Sequence, residues 1–187
     1  MEKDMLELKK QIRKLMKLDF VHPEDIPDKE MFMEELLAFM DKELSNNVRD
    51  DEEKTLTKAM INNYTKNKLL PPPEKKRYTR DHLIYLIYIY YMKGVMSISD
   101  IQKLMETLQA DDMTSEKLYD IYKKTFDMEK FQYFNIESSV AKTAAITEKR
   151  VPADEDEKLN KILLIFMLGY DLYSKKRLIE RLIDEEL

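Results

Sequence analysis

The sequence predicts an all-α protein, and three observations carry that prediction. Glycine occurs twice in 187 residues, where average usage gives roughly a dozen, so the tight turns of a many-stranded sheet are out of reach. Hydrophobic residues make 43% and charged residues 37%, the balance of a soluble, strongly helical chain. The apolar residues recur mostly at steps of three and four rather than two.

Each element follows from a local signal. Met1, Met5, Leu8, Ile12 and Leu15 form a short a/d seam on a helix that packs on the body. The stretch HPEDIP at 22–27 breaks the chain, because each proline keeps its predecessor from helical geometry. Asp28 is expected to cap a helix ending near Leu44, with Met33, Leu36, Leu37 and Met40 inward. Ser45, Asn46 and Asn47 end it. Thr57 is the N-cap of a helix over 58–67, with Met60, Ile61 and Tyr64 inward and Lys58, Asn62, Thr65 and Lys66 outward. It stops at Leu69 and Leu70, and Pro71, Pro72 and Pro73 carry the chain away in extended form.

Thr79 caps the next helix, with Asp81 in its first turn complementing the macrodipole. Its body, LIYLIYIYYM at 83–92, is rich in strand formers but lacks period-two alternation, so it reads as a buried helix. Gly94 suits a left-handed C-cap. Ser97 and Asp100 form a capping box that opens a helix to about Leu108. Ser115 starts a helical region through Phe126, and a longer, interrupted one reaches about Lys149. Val151 and Pro152 separate a last helix over 154–187. Its apolar residues Leu159, Ile162, Phe166, Tyr170, Tyr173, Ile179 and Leu182 keep mostly three- and four-residue steps. A soft boundary near 111–115 divides an N-terminal helical domain, 1–110, from a C-terminal helical region, 111–187, suited to dimerisation or effector binding.

Catalytic chemistry is missing. Without cysteine there is no disulfide, thiolate nucleophile or Cys-type zinc site. The two histidines, His22 and His82, have no partner pattern. Asp19 and Thr79 stand three residues before them, where a helix-bundle di-iron site wants glutamate. Glycine scarcity excludes P-loop and dinucleotide-binding designs. Neither enzyme activity, a cofactor nor a metal is expected. The acidic run 154–157 complements a helix dipole rather than building a cation site. No apolar run approaches the ~20 residues of a membrane helix, and the N-terminal stretch lacks a signal-peptide core. A cytoplasmic location is expected.

The charge is unevenly placed. The net charge is −5, yet residues 54–103 carry ten basic and three acidic side chains. A basic module inside an acidic chain points to a polyanion-facing patch, or to a solvated face balanced by its flanks. Tyr85, Tyr88, Tyr90 and Tyr91 point nearly all round their helix, which favours packing in a core or subunit interface over base stacking.

Thr57, Ile61, Tyr64, Leu69, Leu70 and Pro71, followed by Arg77 and Tyr78, then Asp81, His82 and Leu83, and finally Ser97 with Asp100, together resemble the MerR-type winged helix-turn-helix over about 55–108. That resemblance implies a capped helix entering the major groove and a degenerate, shortened wing. Asn62 stands where the family usually has arginine, and Lys68 where it has glycine. More broadly, TxxMINNYxKxxLLPPPxKKxYTRxHL through the SISDI box is similar to the domain-of-unknown-function family 1836. The resemblance implies a DNA-binding transcriptional regulator, with double-stranded DNA as partner and a homodimer as the working form. Lys66, Lys68, Lys75, Lys76, Arg77 and Arg80 would meet phosphates. Lys58 lies beside them, Tyr64 and Tyr78 would position the backbone, and Asn62 and Asn63 can pair with adenine. The alternative is a helical protein–protein adaptor using the same basic face.

Overall fold

The computed structural model describes residues 10, 12–14, 18–48 and 54–187. It holds six long helices: α1 (Met33–Leu44), α2 (Lys58–Lys66), α3 (Arg80–Met92), α4 (Ile98–Leu108), α5 (Ser115–Arg150) and α6 (Ala153–Glu186). Residues 10 and 12–14 are also helical, and single 3-10 turns occupy Pro23–Asp25 and Ser45–Asn47. Among the described residues there is no strand. Two isolated bridges, Met31 with Tyr78 and Glu74 with Arg77, are the only extended pairing among the described residues. The all-α expectation holds.

The chain divides into two compact units. One is Leu18–Phe126 with Glu180–Leu187; the other joins the N-terminal segment to Asp127–Ile179. The division falls inside α5.

The first unit is built on α3. His82, Leu83, Ile84, Tyr85, Leu86, Ile87 and Ile89 are all buried, so the helix is enclosed on nearly every side, as its all-round hydrophobicity demands. The core continues with Leu36, Met40 and Leu44 of α1, Ile61 of α2, Ile101 and Met105 of α4, and Leu118, Tyr122 and Phe126 of α5. Each fully buried aliphatic side chain contributes about 1.5–3 kcal/mol. The tyrosines act as struts. Hydroxyls of Tyr91, Tyr122 and Tyr119 donate to the carbonyls of Asp19, Val21 and Pro23, at 2.8, 2.6 and 3.1 Å, and Tyr85 donates to Leu108 at 2.9 Å. The rings fill space while their polar tips find carbonyls of the 19–23 segment and of the last turn of α4.

Several local expectations hold. Thr57 Oγ1 accepts the Met60 N–H at 3.2 Å, and Ser97 Oγ accepts that of Asp100 at 3.1 Å. Others need correction. Asp28 does not cap α1, which starts at Met33; instead Glu35 reaches back to accept the Phe32 N–H at 2.8 Å, while Asp28 pairs with Arg80 at 3.3 Å. Gly94 is not left-handed; α3 ends with Val95 and Met96 N–H groups both donating to Met92. The expected interruption after Phe126 is absent, and α5 runs unbroken for 36 residues. In α6, Asp156 leaves helical geometry (φ −154°, ψ 89°) and caps the turn that follows, accepting the Leu159 N–H at 2.8 Å. Of the expected N-terminal seam, Ile12 is buried, while Met1, Met5, Leu8 and Leu15 lie outside the described residues.

The second unit is differently made. Its buried residues include Ile12, Ala141, Thr147 and Glu137, and Arg13 clasps the Glu137 carboxylate through Nε at 3.1 Å and Nη2 at 2.9 Å. Its large apolar side chains mostly face outward.

Candidate nucleic-acid interface

The basic module is organised by how α2 stops. Asn67 is the C-cap and Lys68 follows with φ 58°. The N–H of Leu69 reaches the Tyr64 carbonyl at 2.9 Å and that of Lys68 reaches Thr65 at 3.1 Å. This pair of bonds is a Schellman motif with lysine where glycine is usual. It drives Leu69 and Leu70 into the core, where both are essentially unexposed. Gln109 holds the Leu69 carbonyl at 3.1 Å. The chain is thereby anchored just before the three prolines.

The prolines lead into a two-residue hairpin. Arg77 N–H donates to the Glu74 carbonyl at 2.7 Å, with Lys75 at φ 48° and Lys76 at φ 64° between them. Two consecutive left-handed residues define the I′ geometry that Asn-Gly normally fills. Beyond the hairpin, Tyr78 and Met31 exchange both backbone hydrogen bonds at 2.9 Å. Where the resemblance implies a wing, the structure holds a hairpin tip and one rung of pairing.

These elements sort the expected contact residues. Asn62, Asn63, Lys66, Lys68, Lys75 and Lys76 are exposed. Asn63 Oδ1 accepts from the Asn67 side chain at 2.9 Å. Lys58 is exposed and ion-paired to Glu34, whose carboxyl it holds below the usual range. Arg77 lies over the Phe32 ring, 3.7 Å from its centroid, and a sequence reading has no signal for that partner. Arg80 turns inward between Asp28 and the Tyr119 ring, 4.4 Å away. Tyr64 and Tyr78 are core residues, 5% and 4% exposed, and burial raises both phenols above their ordinary pKa. Both rings pack in the core, where Tyr64 is buried with Ile61 of the same helix and Tyr78 meets the His82 ring edge-on at 5.4 Å.

His82 joins the hairpin to α3. Its Nδ1 accepts the Thr79 N–H at 3.1 Å, so the ring proton sits on Nε2, facing the carbonyls of Pro71 and Pro72 without closing a hydrogen bond of good geometry. Burial lowers its pKa, against the pull of those carbonyls and of Asp81. Among the described residues no cluster of His, Cys, Asp or Glu can hold a metal ion, and no helix is long and apolar enough to cross a membrane.

Fold and site together define an all-α protein with a basic helix–hairpin module set on a packed helical core. The family model described as "domain of unknown function (DUF1836)" matches residues 21–125, and the chain belongs to that family. The match nearly coincides with the first unit's main segment, Leu18–Phe126. No curated protein and no solved structure matches the chain. The match spans the segment at about 55–108 but lends no support to the MerR-type likeness, which stands on the quoted residues. In that likeness, α1 and α2 would be the paired helices, yet residues 45–57 separate them, where a helix-turn-helix uses a turn of about 3–4 residues.

Proposed function

We propose that the chain binds double-stranded DNA as a transcriptional regulator, with α2 as the reading helix and the 74–77 hairpin as a shortened wing. One observation carries the reading. Lys68, Lys75 and Lys76 all occupy left-handed backbone conformations, each costing about 1 kcal/mol or more in a residue with a Cβ. Glycine or asparagine would remove that cost. All three are exposed, and among the described residues no carboxylate pairs with them. Strained positions that keep cations in place of the conformationally easy residue are explained by what the cations touch.

Lys66, Lys68, Lys75 and Lys76 neutralise phosphates, while Asn62 and Asn63 offer the amide geometry that pairs with adenine. Arg77 and Arg80 hold the hairpin and α3 in place from behind. The contact set is smaller and more lysine-based than a full MerR-type head, so affinity outweighs sequence reading.

The test is retention of genomic duplex fragments by the purified full chain at rising salt. Four phosphate contacts predict a slope of log K against log salt of about −4. Lys75→Ala with Lys76→Ala should flatten the slope by about 2. Failure to retain any fragment at low salt overturns the reading, and co-purification of an acidic protein blocked by the same substitutions replaces it with the adaptor.

A further inference from the structure

Helix α6 presents apolar side chains that the described residues leave uncovered. Leu159, Ile162, Ile165, Phe166, Met167, Tyr170, Leu172 and Tyr173 are each 38–67% exposed. At 150–250 Å² for a large side chain, they leave on the order of 1,000 Å² open. A typical monomer's largest apolar patch is about 300–600 Å², and a stable interface takes about 800 Å² from each partner. At about 100° per residue Ile165 and Leu172 fall to one side and Met167 to the other, so the five side chains in line with Phe166 open roughly 600 Å², the upper end of a monomer's patch and most of one side of a stable interface.

The pattern within the stripe identifies the occupant. Leu159, Ile162, Phe166, Tyr170 and Tyr173 are spaced three, four, four and three. That series reads the same in both directions, with Phe166 at its centre. The flanks beyond the Asp156 cap are opposite in sign: Glu157 precedes the stripe and Lys175 follows it at equal distance from Phe166, as do Lys161 and Asp171 within it, with Glu157 already bridged to Lys161 and Lys175 to Asp171 along the helix. Reversing the helix upon itself lays acid on base at both ends, whereas parallel pairing lays like on like.

Gly169 adds an independent sign. It is one of two glycines in the chain and sits inside α6, where glycine costs about 1 kcal/mol relative to alanine. A Cβ added there would meet nothing within 4 Å, so the chain's own packing does not require it. In the reversed pairing Gly169 stands opposite Leu163 and gives room for close approach of the two backbones.

We propose that residues 159–173 of α6 form a homodimer interface, packed antiparallel on the same segment of a second copy about a two-fold axis at Phe166. Leu159 then meets Tyr173 of the other copy, Ile162 meets Tyr170, and Phe166 meets itself. The interface is isologous, as a two-fold requires. It does not depend on DNA binding.

The chain has no cysteine, so single-cysteine variants of the full-length protein test the geometry directly. Phe166→Cys should give a covalent dimer on mild oxidation. Leu159→Cys alone should not, because its two copies lie about 21 Å apart along the axis, whereas a mixture of Leu159→Cys and Tyr173→Cys proteins should. Sedimentation of the unaltered chain should show a dimer at micromolar concentration, and Phe166→Glu should weaken it at least 100-fold. Self-cross-linking of Leu159→Cys as readily as Phe166→Cys means parallel pairing and overturns the proposal. So does a chain that sediments as a monomer, whether it stays free or is carried down by phosphatidylcholine–phosphatidylserine vesicles instead.

Discussion

The backbone N–H of Thr79 is held by Nδ1 of His82 at 3.1 Å, so an imidazole fills the position of a capping box normally given to Glu or Gln. The bond exists only while Nδ1 is unprotonated. Burial already lowers the His82 pKa, so the folded value lies below the unfolded one of about 6.5. The stabilising contribution is therefore fully present above about pH 6.5 and declines as pH falls from there through the lowered folded value. Urea unfolding between pH 8 and pH 5 should show this decline. His82→Gln keeps an acceptor for Thr79 without a titrating proton and should remove the His82 part of the slope. An unchanged slope in His82→Gln would contradict the assignment.

Lys68 ends α2 in the left-handed region at φ 58°. Glycine relieves the Cβ strain there but raises the freedom of the unfolded chain. The net expectation for Lys68→Gly is a gain of about 0.5–1 kcal/mol, read from the urea midpoint at unchanged m-value. DNA affinity should move the other way, with the salt slope reduced by about 1. A variant both more stable and weaker in binding separates the backbone role from the charge role. Equal binding would remove Lys68 from the phosphate set.

At the hairpin, Lys75→Asn with Lys76→Gly supplies the pair that a type I′ turn prefers. The double variant should unfold at higher urea than the parent. It keeps the hairpin while removing two charges, so any lost affinity belongs to the charges and not to a collapsed loop. Comparison with Lys75→Ala/Lys76→Ala makes the point sharper. The alanine pair loses charge without gaining turn preference, and should bind as weakly while gaining less stability.

The parts legible in the sequence were those set by local chemistry. Thr57 and Ser97 cap where their side chains can reach the first turn, and residues 83–92 are too uniformly apolar to lie anywhere but inside. What was not legible depends on competition between distant partners. Asp28 could cap α1, but Arg80, inward-facing and only 19% exposed at its side chain, draws it into an ion pair. Gly94 carries the residue type of a left-handed cap, yet the left-handed positions went to three lysines, which no propensity favours. Phosphate contact was expected of Arg77 and Arg80, and backbone positioning of Tyr64 and Tyr78, as residue types. Their direction is decided by Phe32, Asp28 and the α3 core. The unbroken α5 was visible in principle, because residues 115–150 contain neither proline nor glycine.

The clasp between Arg13 and Glu137 tests the second unit. The Glu137 side chain is 5% exposed and that of Arg13 61%, so the carboxylate is the desolvated partner and the guanidinium can still reach water. Removing only the arginine leaves a buried charge with its main counterion gone, which costs about 3–5 kcal/mol when both partners are buried. The exposed guanidinium screens part of that, so Arg13→Ala should lose about 1–3 kcal/mol. Glu137→Leu with Arg13→Ala removes the charge together with its partner, and similar-sized apolar replacements of buried pairs are often neutral or stabilising. The double variant should therefore regain most of what the single one lost. Urea unfolding of the three proteins followed by far-ultraviolet circular dichroism provides the measurement. If Arg13→Ala is as stable as the parent, the clasp contributes specificity of packing and not stability; if the double variant is the least stable of all, the carboxylate has a partner of its own inside the unit.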